Sequence, residues 1–245
     1  MSTRLRTGLF LTAALAVAVW FARACFQLPA FGTARHPYGD RAVRAALRHH
    51  TANVVSSVNF DLRAIDTLGE ESLMFAAVLG AVVLLRRARD ERRTGPRPAR
   101  VLPPVLLFGA LSLPLALVTG GYVVVHGGLS PGGGFQGGVV LATGLHLGYV
   151  AADYAVLERV RPLAVLDVTD AVGACAFTAL GLAGLLSGAA FLANVAPLGT
   201  FNTLTSGGLV PLLSVAVGIE VGSGVIVLLA QFLDQALEVR SRDAS

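Results

Sequence analysis

Six segments of about 20 mostly apolar residues dominate this sequence and limit what it can fold into. A helix needs about 20 such residues to cross the hydrocarbon core of a bilayer. The chain has 54% apolar and 14% charged residues, which suits a polytopic membrane protein better than a soluble domain. We therefore predict an all-α transmembrane helix bundle of about six spans. The predicted spans are residues 7–24, 68–85, 101–125, 133–152, 169–193 and 209–233.

Arginine supplies every one of the 19 Lys and Arg residues, and its distribution predicts the orientation of the bundle. Seven arginines lie from Arg86 to Arg100, and others lie near both termini. Because short arginine-rich loops stay in the cytoplasm, both termini and residues 87–100 are predicted to be cytoplasmic. The long polar connection of residues 25–66 is then predicted to lie outside, and the arginines within it argue against this orientation. The arginines of the chain as a whole cluster at the ends of apolar segments, which favours a role in membrane orientation over nucleic-acid binding.

The first apolar segment has two interpretations. Arg4 and Arg6 precede it, as in a signal peptide. Arg23 lies within the only plausible cleavage region, residues 22–25, and a charge there favours a retained membrane anchor. The polar connection that follows contains a short predicted amphipathic helix, residues 41–50.

The stretch of residues 126–138 joins the third and fourth apolar segments. Seven of its thirteen residues are glycine, and Pro131 lies inside it. This composition predicts a tight turn that leads into a helix starting near Gly133. Small residues then recur at four-residue spacing, which lets a neighbouring helix approach closely. This stripe consists of Gly134, Gly138, Ala142 and then His146.

Glu220 lies near the middle of the sixth apolar segment. A charge at that depth is costly, so such carboxylates usually face the protein interior and often carry protons or ions. We favour a proton-carrying role for Glu220, and the alternative is a neutral acid that holds helices together by hydrogen bonds. Small residues flank it on two sides of the helix, Ser214, Gly218 and Gly222 on one and Ala216, Ser223 and Gly224 on the other.

His146 is a second candidate for an ion or proton path, because histidine titrates near neutral pH. A histidine that only bonds a neighbouring helix explains its position equally well. Asp66 and Glu70 open the second span, where acids suit a helix N-terminus. Thr67 followed three residues later by Glu70 has the pattern of a capping box.

Three charged residues, Asp61, Arg63 and Asp66, are expected to form a cluster at the membrane edge. Motifs for catalysis or metal binding are missing: the sequence has no CxxC, no HExxH and no GxxxxGK[ST]. Cys25 and Cys175 are far apart and are predicted to be unpaired. We expect no catalytic residue, no metal, no cofactor and no enzymatic activity.

The glycine-rich stretch resembles the signature of the B subunit of Mrp-type (Mnh) multisubunit cation/proton antiporters. That signature is a histidine, a short turn and Pro-Gly-Gly-Gly-Phe followed by a glycine. Residues 127–130, Gly-Gly-Leu-Ser, depart from it, and the resemblance covers about residues 100–235. The run of residues 218–221, Gly-Ile-Glu-Val, is also similar to the last helix of that family. The matching positions here are His126, Pro131, Gly132, Gly133, Gly134, Phe135 and Gly138.

Residues 53–70 resemble the C-terminal end of the large A subunit of those antiporters and the small E subunit of related membrane-bound hydrogenases. The shared pattern is an Asn-Val-Val helix and then Asp-x-Arg-x-x-Asp-Thr-Leu-Gly-Glu. Residues 64 and 65, Ala and Ile, depart from it, since an aromatic residue or glycine is more usual there. The match implies that Glu70 is a functional acid. The matching residues are Asp61, Arg63, Asp66, Thr67, Gly69 and Glu70.

Together the two resemblances imply a fusion of a two-span module, residues 1–86, and a four-span module, residues 101–245. The arginine-rich residues 87–100 then form a cytoplasmic linker. The resemblance implies a subunit of a Na⁺/H⁺ antiporter in the cytoplasmic membrane that lines or supports an ion path at an interface with larger subunits. Its expected partners are those subunits, membrane lipid, Na⁺ and H⁺. Two alternatives stay open: a purely structural scaffold subunit, or a membrane-arm subunit of a hydrogenase-like redox-driven ion pump.

Overall fold

The computed structural model describes residues 3–28, 36–86, 101–151 and 163–236, and all regular structure in these ranges is helical. A π-helical segment, Val58–Leu62, joins α3 to α4. The predicted linker of residues 87–100 lies outside the described residues. The α-helices are α1 Thr3–Phe26, α2 Pro37–Arg48, α3 Val54–Ser57, α4 Ala64–Leu84, α5 Pro103–Val125, α6 Gly134–Ala151, α7 Leu163–Leu186 and α8 Val210–Ala236.

The chain divides into two compact units, Met1–Asp40 and Arg41–Ser245. The first contains α1, an apolar helix that buries none of its residues. In the second, α2 buries Ala42 and Ala46 and so forms the short amphipathic helix that the sequence predicts. The division into modules of residues 1–86 and 101–245 rests on resemblance and stays a prediction.

Five helices within the described ranges are long and apolar enough to cross a membrane, and they coincide with five of the predicted spans. The remaining predicted span forms α6, which has 18 residues and includes glycines, Gln136 and His146. At 1.5 Å per residue, α6 is about 27 Å long, slightly less than a hydrocarbon core of about 30 Å. The fold is thus the expected all-α, multi-pass membrane fold. The five helices are Thr3–Phe26, Ala64–Leu84, Pro103–Val125, Val165–Leu186 and Val210–Phe232.

Helix α8 lies at the centre of the second unit. Of its spanning residues 67% are buried, against 28% for α7 and 17% each for α4 and α5. Gly134 and Gly138 of α6 face residues 214–217 and 221–222 of α8 in the same order along both helices, so the two helices are parallel. Helix α4 also runs parallel to α8, and α5 and α7 run in the opposite direction. Consecutive spans from α4 to α8 therefore alternate in direction.

The glycine-rich turn, residues 126–133, lies at the end of the bundle where α4, α6 and α8 begin; we call this the glycine-turn end. Gly132 and Gly133 have φ angles of +151° and +131°, which side chains rarely adopt. The Asn53 side chain donates hydrogen bonds to the carbonyls of Gly127 and Ser130, at 2.7 and 2.8 Å. Helix α3 is thereby tied to the turn.

Helix α7 covers residues 163–186, so the predicted span of 169–193 was wrong at both ends. The helix ends because Gly188 adopts a φ of +77°. The N–H groups of Gly188 and Ala189 bond to the carbonyls of Leu185 and Gly184, the pattern of a Schellman cap. At the other end, the helix starts six residues before the predicted span and therefore includes Asp167, which lay outside that span.

Helix α4 begins at Ala64, because the π-helical segment leads directly into it. The predicted capping box at Thr67 was therefore wrong: Thr67 lies inside the helix and donates a hydrogen bond to the Asn59 carbonyl at 2.8 Å. Arg63 occupies the N-cap position and pairs with Asp66 at 2.5 Å. Asp61 instead contacts His49, also at 2.5 Å, so the expected three-residue charge cluster is divided.

Candidate functional site

The two small-residue stripes of α8 face different neighbours. The stripes are offset by two residues, which is about 200° around a helix, so they lie on opposite sides. On one side, Val124 of α5 fills the space beside Gly218, and Ser214 donates a hydrogen bond to the Val124 carbonyl at 2.9 Å. On the other side, α4 and α7 pack against α8 around Glu220 and Gly224. Glu220 is thus enclosed by protein.

Glu220 is completely buried, with no exposed surface. It lies ten residues after Val210, the first residue of α8, which is about 15 Å along the helix axis. Helix α7 comes very close at this level, because a Cβ on Gly173 would lie 2.7 Å from the Glu220 backbone nitrogen. Only glycine allows α7 to pack against α8 at this position.

Glu71 of α4 supplies the acid that faces Glu220. Its side chain is 1% exposed, and the two carboxyl groups lie within hydrogen-bonding reach of each other. Ala64, Thr67 and Val78 are the other buried residues of α4, so Glu71 belongs to the face that packs into the bundle.

Asp170 of α7 is the third buried acid, with 4% of its surface exposed. Its Oδ1 atom and the Met74 methyl group would each lie 2.9 Å from a Cβ on Gly224. The absence of a side chain at Gly224 therefore lets Asp170 and α4 meet beside α8. Asp170 is close enough to interact electrostatically with both Glu71 and Glu220. We call Glu71, Asp170 and Glu220 the buried acid cluster.

Five of the six carboxyl oxygens of the acid cluster are buried without a hydrogen-bond donor from the rest of the described chain. They are the four oxygens of Glu71 and Glu220 and the Asp170 Oδ1 atom. Within the described ranges, the two ion pairs, His49–Asp61 and Arg63–Asp66, do not involve the cluster. A buried carboxylate without a donor or a cation is costly. Protons held by these acids would remove that cost and supply the missing donors.

The three acids and one histidine predicted from sequence occupy different environments. Glu220 is in the cluster, whereas Glu70 is exposed on the neighbouring face of α4. Asp66 is also exposed and pairs with Arg63. His146 is half-buried on α6, a helix that contacts the opposite side of α8. The structure therefore brings only Glu220 of these four into the cluster.

The predicted turn residues lie at the glycine-turn end, where α6 meets α8. Pro131 is exposed, and Phe135 packs against the apolar core that surrounds the first half of α8. A Cβ on Gly134 would lie 2.4 Å from the Ser214 carbonyl oxygen, and one on Gly138 would lie 2.8 Å from the Val221 Cβ. These two glycines thus set the distance between α6 and α8.

Sequence reasoning missed two of the three clustered acids. The spacing of Ala64, Thr67 and Glu71 marks one face of α4, but only after the helix start is moved to Ala64. Asp170 was missed because it stood at the second residue of the predicted fifth span, which began at residue 169. It lies three positions before Gly173, so both lie on the side of α7 that meets α8, and this spacing is a signal that was present in the sequence.

Comparison with known proteins agrees with this architecture. Residues 105–227 match the family described as a domain related to the MnhB subunit of Na⁺/H⁺ antiporter. An uncharacterized protein of Methanocaldococcus jannaschii, MJ1307, is 28% identical over 202 residues, which cover 71% of this chain and 74% of that protein.

Two solved structures share the fold. In the membrane-bound sulfane sulfur reductase (MBS), an archaeal respiratory membrane complex, one chain matches with a TM-score of 0.72 and 28% identity, covering 94% of this chain and 98% of that one. In the Mrp complex from Dietzia sp. DQ12-45-1b the TM-score is 0.66 and the identity 25%, covering 94% of this chain but 26% of the longer matched chain.

The family match covers half of the chain, and each of the two structural matches covers 94% of it. They confirm the resemblance stated from the glycine-rich signature, as well as the membrane location and the partnership with other subunits. The chain belongs to the family of domains related to the MnhB subunit of Na⁺/H⁺ antiporter, as a multi-pass membrane subunit.

Proposed function

We propose that this chain carries protons through its part of a multisubunit monovalent cation/proton antiporter. The observation that supports this proposal is the convergence of Glu71, Asp170 and Glu220 from three helices at a buried position. Ionisable residues within membrane helices usually belong to ion pathways or proton relays. The family match to a Na⁺/H⁺ antiporter subunit supports the same assignment.

A shared proton explains how two acids tolerate burial side by side. When one of the two facing carboxyl groups is protonated, its O–H donates to the other, and the pair carries a single negative charge. A proton arriving from one direction neutralises that charge, and a proton leaving in the other direction restores it. Glu71 and Glu220 would thus act as one exchangeable unit, with Asp170 beside it.

The proposal assigns the proton, and not Na⁺, to this cluster. Within the described ranges, no group of three His, Cys, Asp or Glu side chains is arranged to hold a metal ion. Na⁺ would cross the complex by a route that other subunits complete.

The test is Glu220→Gln in vesicles that contain the whole complex, with subunit content checked by blotting. Glutamine keeps the size and hydrogen-bonding capacity of glutamate but cannot exchange a proton, so the complex should assemble while cation-driven proton movement falls sharply. Glu220→Asp should retain part of the transport. Full transport in an assembled Glu220→Gln complex would exclude a proton-carrying role and favour a scaffold, in which only Glu220→Ala disturbs assembly.

A second candidate is a subunit in the membrane arm of a redox-driven ion pump. The match to the respiratory sulfane sulfur reductase complex favours it, because that match covers 98% of the neighbouring chain. The acid cluster would serve the same step in either complex. Purification of the native complex and identification of its other subunits separates the two: redox subunits indicate the pump, and their absence indicates the antiporter.

The orientation of the bundle is a further part of the proposal. The arginines from Arg86 to Arg100 favour a cytoplasmic position for that segment and both termini, and the glycine-turn end would then lie outside. Single cysteines at Ser130 and Thr94, in a chain without other cysteines, should therefore differ in accessibility. An impermeant thiol reagent added to intact cells should label the cysteine at 130 and not the one at 94, and the reverse pattern would show the opposite orientation.

A further inference from the structure

Asp167 lies one helical turn from the buried Asp170 on the same helix, and its environment differs. Asp167 is exposed, whereas Asp170 is buried. The two carboxyl groups are close enough to interact electrostatically. Neither ion pair formed among the described residues includes Asp167. An acid on the exposed face of a spanning helix needs water or a polar partner, and Asp167 is such an acid one helical turn from the cluster.

The acids follow one another along the axis of the bundle. Helix α7 is antiparallel to α8, because Gly173 lies against Glu220 while Asp170 lies beside Gly224. Asp170 is therefore about 6 Å farther than Glu220 from the glycine-turn end, at 1.5 Å per residue along α8. Asp167 precedes Asp170 by three residues and lies about 4.5 Å farther in the same direction.

We propose that Asp167 exchanges protons between the buried acid cluster and the end of the bundle opposite the glycine-rich turn, with Asp170 as the intermediate step. The inference rests on the proposed function of the cluster. Asp170 passes its proton to the charged Glu71–Glu220 pair and becomes a carboxylate. A proton bound to Asp167 then passes to the Asp170 carboxylate, which leaves Asp167 charged and Asp170 neutral again. Each step moves one proton from a carboxyl group to a carboxylate.

The route runs from one exposed acid, Asp167, to three buried ones, and the burial of each acid fits its step. Asp170 is unfavourable as an isolated anion, since its Oδ1 atom has no donor in the described structure. Asp170 therefore holds a proton at rest and takes up another soon after passing one on. Asp167 can stay charged at its exposed position and capture protons from water. Removal of the Asp167 carboxyl group should slow proton entry from the end of the bundle opposite the glycine-rich turn, without changing the acids within the cluster.

The test compares Asp167→Asn and Asp167→Cys with Glu220→Gln in vesicles holding the assembled complex, with Cys25 and Cys175 replaced by serine. Asp167→Asn should lower transport about tenfold, less than the roughly 10²-fold loss typical of a positioned proton-transfer group, because water can partly replace a surface acid. Thr178→Val is the matched control: it removes an exposed polar group from α7 in the half nearer the glycine-turn end and should leave transport unchanged.

Chemical modification of Asp167→Cys separates an acid from a packing group. Iodoacetate attaches a carboxymethyl group and restores an acid, whereas iodoacetamide attaches a neutral group of similar size. We expect iodoacetate to restore transport and iodoacetamide not to restore it. It should also restore the dependence of the rate on the pH at the end opposite the glycine turn, a readout that packing would not change.

The outcomes distinguish this inference from the function on which it rests. Full transport in Asp167→Asn together with loss in Glu220→Gln would overturn the Asp167 route and leave the cluster in place. Full transport in both variants would overturn both. Equal rescue by the two reagents, or failure of both Asp167 variants to assemble, would assign Asp167 to packing and also overturn the route.

Discussion

Replacing Glu71 by glutamine is expected to lower cation-driven proton transport roughly 10²-fold, the lower end of the contribution of a positioned proton-transfer group. Glu71 is 1% exposed and faces Glu220, so its loss leaves Glu220 without the acid with which it shares a proton. The glutamine amide can still donate to the Glu220 carboxylate, and the complex should therefore assemble. The measurement is the initial transport rate in vesicles, normalised to the amount of assembled complex.

Glu70→Gln is the matched control for this prediction, because the two acids are adjacent on α4 and only Glu71 points into the bundle. Glu70 is exposed, so its replacement should have a clearly smaller effect than Glu71→Gln. The family motif alone favours the opposite order, since Glu70 is the acid that matches it. A larger loss for Glu70→Gln would show that a surface on α4, completed by another subunit, carries the protons and that the buried pair does not.

The contrast between Glu70 and Glu71 shows why sequence alone could not complete the site. Both acids lie in the same apolar segment, and small residues such as Gly69 and Ala76 leave either face of the helix able to pack. The earlier start of α4, which follows the π-helical segment, adds Ala64 and Thr67 to the buried face that carries Glu71. A cap pattern at Thr67 therefore predicted the wrong helix start. Glu220 posed no such ambiguity, because its helix carries small residues on both sides.

The fold was more predictable than the site, because each span depends on local composition. The limits of α5, α6 and α8 lie close to those expected from apolar length, and the glycine stripe of α6 faces α8. The acid cluster depends instead on contacts between residues 71, 170 and 220, which are remote in sequence. Those contacts exist only because Gly173 and Gly224 allow close approach, and no local pattern states which helices will meet there.

The close approach at Gly173 yields the last large expected effect. A Cβ at this position would lie 2.7 Å from the Glu220 backbone nitrogen, 2.8 Å from the Glu220 Cβ and 2.9 Å from the Ala216 carbonyl oxygen. All three atoms belong to the backbone or Cβ of α8 and cannot rotate away, so α7 must move outward. Gly173→Ala should therefore destabilise the protein by about 1–3 kcal/mol, the usual range for overpacking.

Gly80→Ala provides the control for this substitution. Gly80 lies in α4, and a Cβ there meets nothing within 4 Å. Alanine in a helix is favoured over glycine by roughly 0.5–1 kcal/mol, so this variant should be as stable as the original chain or slightly more stable. The measurement is the midpoint of thermal unfolding of the purified complex, followed for this subunit, together with transport in vesicles.

Transport and stability should fall together in Gly173→Ala, since an outward shift of α7 carries Asp170 away from Glu220. A loss of stability with full transport would mean that the proton route does not need Asp170, although the helices pack as described. If Gly173→Ala instead matched Gly80→Ala in both measurements, α7 would not approach α8 at Glu220. Asp170 would then no longer be a neighbour of Glu71 and Glu220, and the route through Asp167 would lose its geometric basis.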